Sequence, residues 1–371
     1  MAALLMLFAC KPKVEPDTTP SADPTEVSND PSGEPEASTD PSSEEPSAEP
    51  PVDPSEVPSV DPGPTMKVKV TTGEAKNVTL DFANLYCSVS VENAPEDSED
   101  SDQDLKDVVV YVSVSPTLKT ADDLIEKAYP YPAGSLFDEV LYTDCEELEV
   151  GTKHYYVAWL KLGDDIYKGD VKYFSTKKYS DYAEPVDLGL SVKWCNVNIG
   201  AMTPKDEDEK SLYFAWGEIE PKWNFTRENY TGNPDLYVGE ESSSSKKKLQ
   251  LSDDAAYKIL GRDWKMPTHA DFEELLTCSF EYESASHCWK VTGPSGKSIY
   301  LPESGLMDGY GYIGFRKCGW YWSSEYPSWE PTLAYSLYLN STNSSPNYTQ
   351  RINKDGERYV GCPIRAVYRG E

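Results

Sequence analysis

Gly319-Trp320-Tyr321-Trp322-Ser323-Ser324-Glu325 brings together the side chains best suited to holding a ligand. Three aromatic rings, two hydroxyls and a carboxylate fall within seven residues. An aromatic face accepts the apolar face of a pyranose, and nearby polar groups take its hydroxyls. Read as a strand, the stretch puts Trp320 and Trp322 on one side and Tyr321 on the other, so at least one tryptophan faces a core. Trp329, in the loop Tyr326-Pro327-Ser328-Trp329-Glu330-Pro331, is the better candidate for exposure. The expected ligand-binding set is therefore Trp329, Trp322, Tyr321 and Glu325.

Other chemistry is poorly represented. The three histidines, His154, His269 and His287, are dispersed and match no metal-ligand spacing. No Gly-x-Ser-x-Gly elbow and no phosphate-binding loop occurs. No catalytic residue, metal set or cofactor is expected, and the chain reads as a non-enzyme. The formal net charge of -30 repels phosphate backbones and argues against nucleic acid as a partner. Seven cysteines follow Cys10, so an exported chain keeps at least one free thiol. Cys278 and Cys288 flank a short connection and can pair; equally, they can stay reduced as small buried hydrophobes.

The elements that must carry these residues separate along the chain. The opening Met1–Cys10 is apolar but too short to span a bilayer, which takes ~20 residues. Residues 11–65 hold fourteen of the 29 prolines and fourteen acidic residues against Lys11 and Lys13, with no aromatic. Such a segment cannot bury enough apolar surface to offset its ordering entropy. Extended as polyproline II at ~3.1 Å per residue it would reach roughly 170 Å. From Met66 a period of two takes over. Strands are predicted at Met66–Val70, Val78–Phe82, Tyr86–Val91, Val108–Val114, Leu136–Tyr142, Tyr155–Leu160 and Val171–Phe174, with an acidic loop at Glu96–Asp104. Thr120 caps a short helical turn. Seven short strands in about 110 residues suggest a sandwich.

Eight of the nine tryptophans lie beyond residue 185, so the richer aromatic core is C-terminal. A helix is predicted over Ser252–Gly261, with Ser252 as its cap. A second follows the capping box Thr268-His269-Ala270-Asp271, with Phe272, Leu275 and Leu276 on one face and His269 exposed. Strands are expected at Cys288–Val291, Ser298–Leu301, Gly319–Ser323, Ala334–Asn340 and Tyr359–Tyr368. Glu240–Lys248 reads as a loop. Arg365 reads as a paired structural arginine.

Three resemblances add to this. Leu7-Phe8-Ala9-Cys10 resembles a bacterial lipobox, although no basic n-region precedes it. That resemblance implies a signal peptide over 1–9 and acylation at Cys10. It would leave residues 10–65 as a lipid-anchored disordered stalk, most naturally on the outer membrane, with display at the cell surface as one arrangement. Leu148–Trp159 with Tyr167–Thr176 resembles the last strands of a fibronectin type III domain, here over 66–178. His154 stands where that family has its corner tyrosine, so the tyrosine would be displaced to Tyr155 or Tyr156. Over 184–371 the ordered set Glu184–Trp194, Asn198-Ile199-Gly200-Ala201, Leu212–Glu218, Asp263–Thr268, Ile299–Pro302, Gly319–Ser324 and Pro363–Val367 resembles the Fibrobacter succinogenes-type major paralogous domain of Bacteroidota surface proteins. It implies an α+β, C-type-lectin-like module. The calcium ligands of C-type lectins have no counterpart in Trp322-Ser323-Ser324-Glu325, and the paired cysteines of sulfatase-modifying relatives are missing near Cys318. The expectation is an envelope lipoprotein presenting a recognition module for glycans or for host or matrix proteins. The alternatives are an accessory or tip subunit of a surface fibre, and a diverged enzyme.

Overall fold

The computed structural model describes residues 65–94, 105–206, 209–232, 248–330, 332–342 and 350–370. Cys10, the signal peptide, all of the stalk before Thr65, the loop Glu96–Asp104 and all but Lys248 of Glu240–Lys248 lie outside these residues.

Alternation of β-branched and polar residues builds the first eight strands. They are β1 (Lys67–Lys76), β2 (Ala83–Glu92), β3 (Val109–Ser115), β4 (Pro130–Ser135), β5 (Leu141–Cys145), β6 (Lys153–Leu162), β7 (Asp165–Lys168) and β8 (Lys172–Ser175). One antiparallel sheet runs β1-β2-β5; the other runs β4-β3-β6-β7, with β8 also on β6. Leu85, Val110, Val112, Ala158 and Leu160 are wholly buried in one core drawn from both sheets. This is an immunoglobulin-like β-sandwich. Helix α1 (Ala121–Lys127) starts at Thr120, whose hydroxyl accepts from Asp123 N as predicted.

Two predicted strands of the sandwich fail for local reasons. Asn77, at φ 49°, ends β1, and Val78–Phe82 is irregular. Its carbonyls serve other segments instead: Thr79 O accepts from Lys177 N and Asp81 O from Leu148 N. Leu136–Tyr142 is broken by a turn at Asp138, whose carboxylate accepts from Ser135 N at 2.6 Å. The chain thereby leaves one sheet as β4 and enters the other as β5. His154 is buried, its Nδ1 3.1 Å from Thr152 O and its ring stacked on Phe174. Tyr156 donates its hydroxyl to Gly73 O at 2.9 Å and joins the two sheets, a long-range bond and not the local one of a tyrosine corner.

Tyr179, Tyr182 and Ala183 pack against a core of the C-terminal region. There the elements are β9 (Pro185–Val186), β10 (Lys193–Cys195), α2 (Ala255–Leu260), β11 (Trp264–Lys265), α3 (His269–Leu275) and β12 (Ser279–Glu283). Next come β13 (Cys288–Thr292), β14 (Ser298–Pro302), β15 (Leu306–Asp308) and β16 (Gly311–Ile313). The last are β17 (Cys318–Trp322), β18 (Leu333–Asn340), β19 (Gln350–Glu357) and β20 (Val367–Tyr368). They form small sheets in the orders β11-β20-β10-β9, β12-β13-β14, β15-β16 and β17-β18-β19. Of the strand predicted over Tyr359–Tyr368, only β20 forms.

The capping box at α3 is present: Thr268 Oγ1 accepts from Asp271 N, and Asp271 accepts from Thr268 N. At α2 the cap is Asp254 rather than Ser252. Its carboxylate accepts from Tyr257 N and also from Met266 N, tying the helix to β11. A serine hydroxyl is too short to serve both. The Cys278–Cys288 pairing is excluded by register. Glu283, not Cys278, faces Cys288, and five residues at ~3.4 Å place Cys278 about 17 Å further along. All seven cysteines from Cys87 onward are free, and all but Cys278 are buried. Arg365 is fully buried. It donates to Asn198 Oδ1 and to the carbonyls of Cys195, Asn196 and Tyr300, binding three segments together.

Candidate functional site

Strand β17 does what its alternation demands. Tyr321 pairs across the sheet with Leu337, and Leu337 with Ile352, all on the side of one core. Trp322 faces the opposite way into a second core. Both rings are closed to solvent. Tyr321 donates its hydroxyl proton to Pro302 O, and Trp322 Nε1 donates to Phe214 O at 2.8 Å. Two of the expected ligand-binding residues are therefore core, because this sheet is covered where they stand. Glu325 is half-buried, and its carboxylate accepts from His269 N at the start of α3. That makes it a helix cap. Trp329 is exposed, at 65%.

The Trp322 side of the sheet opens into a groove of about 290 Å³. Its floor follows the register: Trp322 opposite Ser336, and Ser336 opposite Asn353. Trp320, half-buried, lies beside them with its ring 4.9 Å from that of Tyr338. One wall is the β15–β16 hairpin, supplying Leu306, Asp308 and Ile313; the other is the end of β19, supplying Asp355 and Glu357, with Tyr359 beyond. Tyr310 stands fully exposed at the hairpin's tip. Tyr359 donates its hydroxyl to Glu357 at 2.6 Å, and this carboxylate raises the phenol's pKa, with burial adding. Glu357 also pairs with Arg227. Cys362 lines the groove as well, and complete burial raises its thiol pKa well above the ordinary value.

Ser336 is the chemically incomplete member. It is 1% exposed, and its Oγ has no hydrogen-bond partner among the described residues. A hydroxyl buried in that state costs about 1–3 kcal/mol. The groove thus has at its floor an unused hydrogen-bonding group, closed to solvent, near the indole of Trp320, the amide of Asn353 and the carboxylates of Asp308, Asp355 and Glu357.

A neighbouring cleft of about 330 Å³ shares Glu357 and Tyr359 and is lined by Arg227, Tyr230, Thr332 and Arg358. Arg358 is buried there between the rings of Trp216 and Tyr326, 4.2 and 4.5 Å away. A third, of about 220 Å³, lies between His287, Glu303 and Arg316. The Glu303 carboxylate in it already accepts from Trp289 Nε1, Ser341 N and Ser341 Oγ. Trp329 lines none of these three. Among the described residues no group of three or more His, Cys, Asp or Glu side chains is placed to hold a metal, and no helix is long and apolar enough to cross a membrane.

The residues missed from sequence are Trp320, Ser336, Asn353, Asp308, Asp355 and Tyr359. One signal for them was available. Asp308-Gly309 is a turn-forming dipeptide, and the hairpin it signals closes one residue on, over Gly309-Tyr310, a few residues before Gly319–Ser323.

Neither a protein-family model nor a curated protein matches the sequence. Solved structures give weak likenesses. The sensor domain of the anti-sigma factor RsgI4 of Pseudobacteroides cellulosolvens is 13% identical, with a TM-score of 0.21 over 30% of this chain and 76% of that one. A shorter form of the same domain is 11% identical, with a TM-score of 0.21 over 30% and 94%. A human fibronectin type III domain, from the protein KIAA0970, is 10% identical, with a TM-score of 0.20 over 29% and 72%.

Proposed function

We propose that the protein is a non-catalytic recognition protein whose C-terminal, C-type-lectin-like module binds a saccharide in the β17–β19 groove. The observation that carries this is the floor: the half-buried indole of Trp320 beside the unpartnered, buried hydroxyl of Ser336 and the amide of Asn353. An aromatic platform next to unused polar groups suits a sugar ring, apolar on its face and polar at its edge. Cys362, the one cysteine lining the groove, is kept protonated by burial, which speaks against thiol chemistry there. In this reading the fibronectin III-like sandwich spaces the module from a membrane, and the acidic stalk, acylated at Cys10, anchors it there. The lipobox residues Leu7–Cys10 support that anchor.

The test is a binding screen of the full chain against a glycan array and extracellular-matrix proteins, with calcium and with chelator. Saturable saccharide binding that survives chelation and is lost in both Trp320→Ala and Asn353→Ala is the expected result. Binding that persists in both variants would move the site elsewhere. No binding, together with ordered self-association, would favour a fibre subunit instead. Labelled palmitate incorporated by the wild type but not by Cys10→Ser tests the anchor.

A further inference from the structure

Resting on that reading, we propose that the groove selects saccharides bearing free amino groups. The two walls each contribute a carboxylate with no cation spent on it among the described residues: Asp308 from the hairpin, half-buried, and Asp355 from β19, exposed. Asp308 accepts from Tyr310 N through Oδ1, which fixes the carboxylate at the turn. Among the described residues no lysine or arginine lines the groove. Arg227 is engaged by Glu357, and Arg351 lies over the Tyr338 ring, 5.3 Å from its centroid. Carboxylates on both walls of one cleft, with no lysine or arginine among the described residues lining it, focus a negative potential into it. The Trp320 ring adds to this, because an aromatic face attracts a cation; the Tyr359 ring is already met by Arg227, 5.0 Å from its centroid.

The unpartnered Ser336 hydroxyl is independent of this charge and points to the same occupant, since it calls for a ligand with its own hydrogen-bonding groups at the floor. An amino sugar supplies all three features: a ring face for Trp320, hydroxyls for Ser336 and Asn353, and an ammonium for the walls. Uronic acids and sulfated sugars are repelled by the same arrangement.

The experiment compares glucosamine hexamer, its fully N-acetylated form and galacturonate hexamer. Binding to the full chain is measured by calorimetry in mildly acidic buffer, where the amines are protonated. The amino form should bind about tenfold more tightly than the acetylated form at 0.1 M salt, and the galacturonate not at all. The advantage should vanish at 1 M salt, where the screening length falls from ~10 to ~3 Å. Asp308→Asn combined with Asp355→Asn should erase it as well, bringing the amino and acetylated hexamers to equal affinity. The salt arm needs no variant, and a thermal melt checks that the double variant is folded. Equal or tighter binding of the acetylated form would overturn the charge assignment and leave saccharide recognition standing. Binding of none of the three, with an empty glycan screen, would overturn both. A lysine hexamer that binds as tightly as glucosamine hexamer and competes with it would replace the sugar with a cationic peptide.

Discussion

Ser336 offers a prediction with an unusual sign. Most buried serines in strands are satisfied, and replacing them costs stability. Here Oγ is closed to solvent and unpartnered among the described residues, so the native state carries a desolvation cost of about 1–3 kcal/mol. Ser336→Ala removes the hydroxyl and that cost. The vacated oxygen leaves a small void, worth only a few tenths of a kcal/mol at ~24 cal/mol per Å³. Alanine's weaker strand preference subtracts a similar amount. The balance is a gain of about 1 kcal/mol, or roughly 2–4 °C in Tm for a folded region of this size. Ser323 is the control, since it is equally buried but its Oγ accepts from Glu325 N at 2.9 Å. Ser323→Ala should lose about 1 kcal/mol. Urea and thermal unfolding of the full chain, followed by tryptophan fluorescence, measure both. A Ser336→Ala protein that melts below wild type would show that the hydroxyl is satisfied in the fold, and would remove the argument that the floor awaits a ligand. Saccharide affinity should move the opposite way, falling as stability rises.

Other expectations come from the core. Arg365→Leu strips hydrogen bonds from Asn198 Oδ1 and three carbonyls at once and should cost about 3–5 kcal/mol by urea unfolding. Arg365→Lys should restore only part of this, because one ammonium cannot span three segments; full rescue would refute the bridging role. Burial lowers the His154 pKa, so the folded state binds its proton less well than the unfolded state. Its contribution is fully present above the unfolded value of ~6.5 and is lost as pH falls below it. The stability difference between wild type and His154→Phe should therefore shift against wild type between pH 7.5 and 5.5, and a constant difference would contradict this. Burial raises the thiols of Cys87 and Cys288 to about 11 and of Cys145 to about 12. In the native protein Cys278 should thus react first with a thiol reagent, the others reacting only on unfolding, as peptide mapping would reveal.

What was legible in the sequence was what depends on neighbours a few residues away. The β17 alternation, the Thr268–Asp271 box, the Thr120 cap and the longer sandwich strands are of this kind. What was not legible depends on where distant segments arrive. Asp254 displaced Ser252 as a cap because Met266, twelve residues on, supplies a second donor to its carboxylate. Tyr321 and Glu325 looked like ligand groups until Pro302 and His269 arrived to use them. β19 was missed outright. Its residues Gln350–Glu357 include a single large aliphatic, Ile352, and nothing about such a run announces a strand until β18 stands beside it.

The same β19 explains why a groove exists at this place. A strand with apolar residues on both faces would be covered on both, as Tyr321 and Trp322 are on β17. β19 has Ile352 on the core side and Asn353 and Asp355 among the residues turned to the groove, so it anchors the sheet's edge without closing the other face. The register then decides what the open face shows. Each strand contributes one member of the row Trp322–Ser336–Asn353, of which Trp322 and Ser336 are closed to solvent and Asn353 is half-buried, and the row behind it, Tyr321–Leu337–Ile352, holds all three strands in the core. Groove and core are consecutive rows of one sheet, so a residue cannot slip in register without exchanging the two. The floor is accordingly built on strands and not on loops. A binding surface made this way is held in place by the burial of its neighbours, which suits selection among sugars that differ by one charged group.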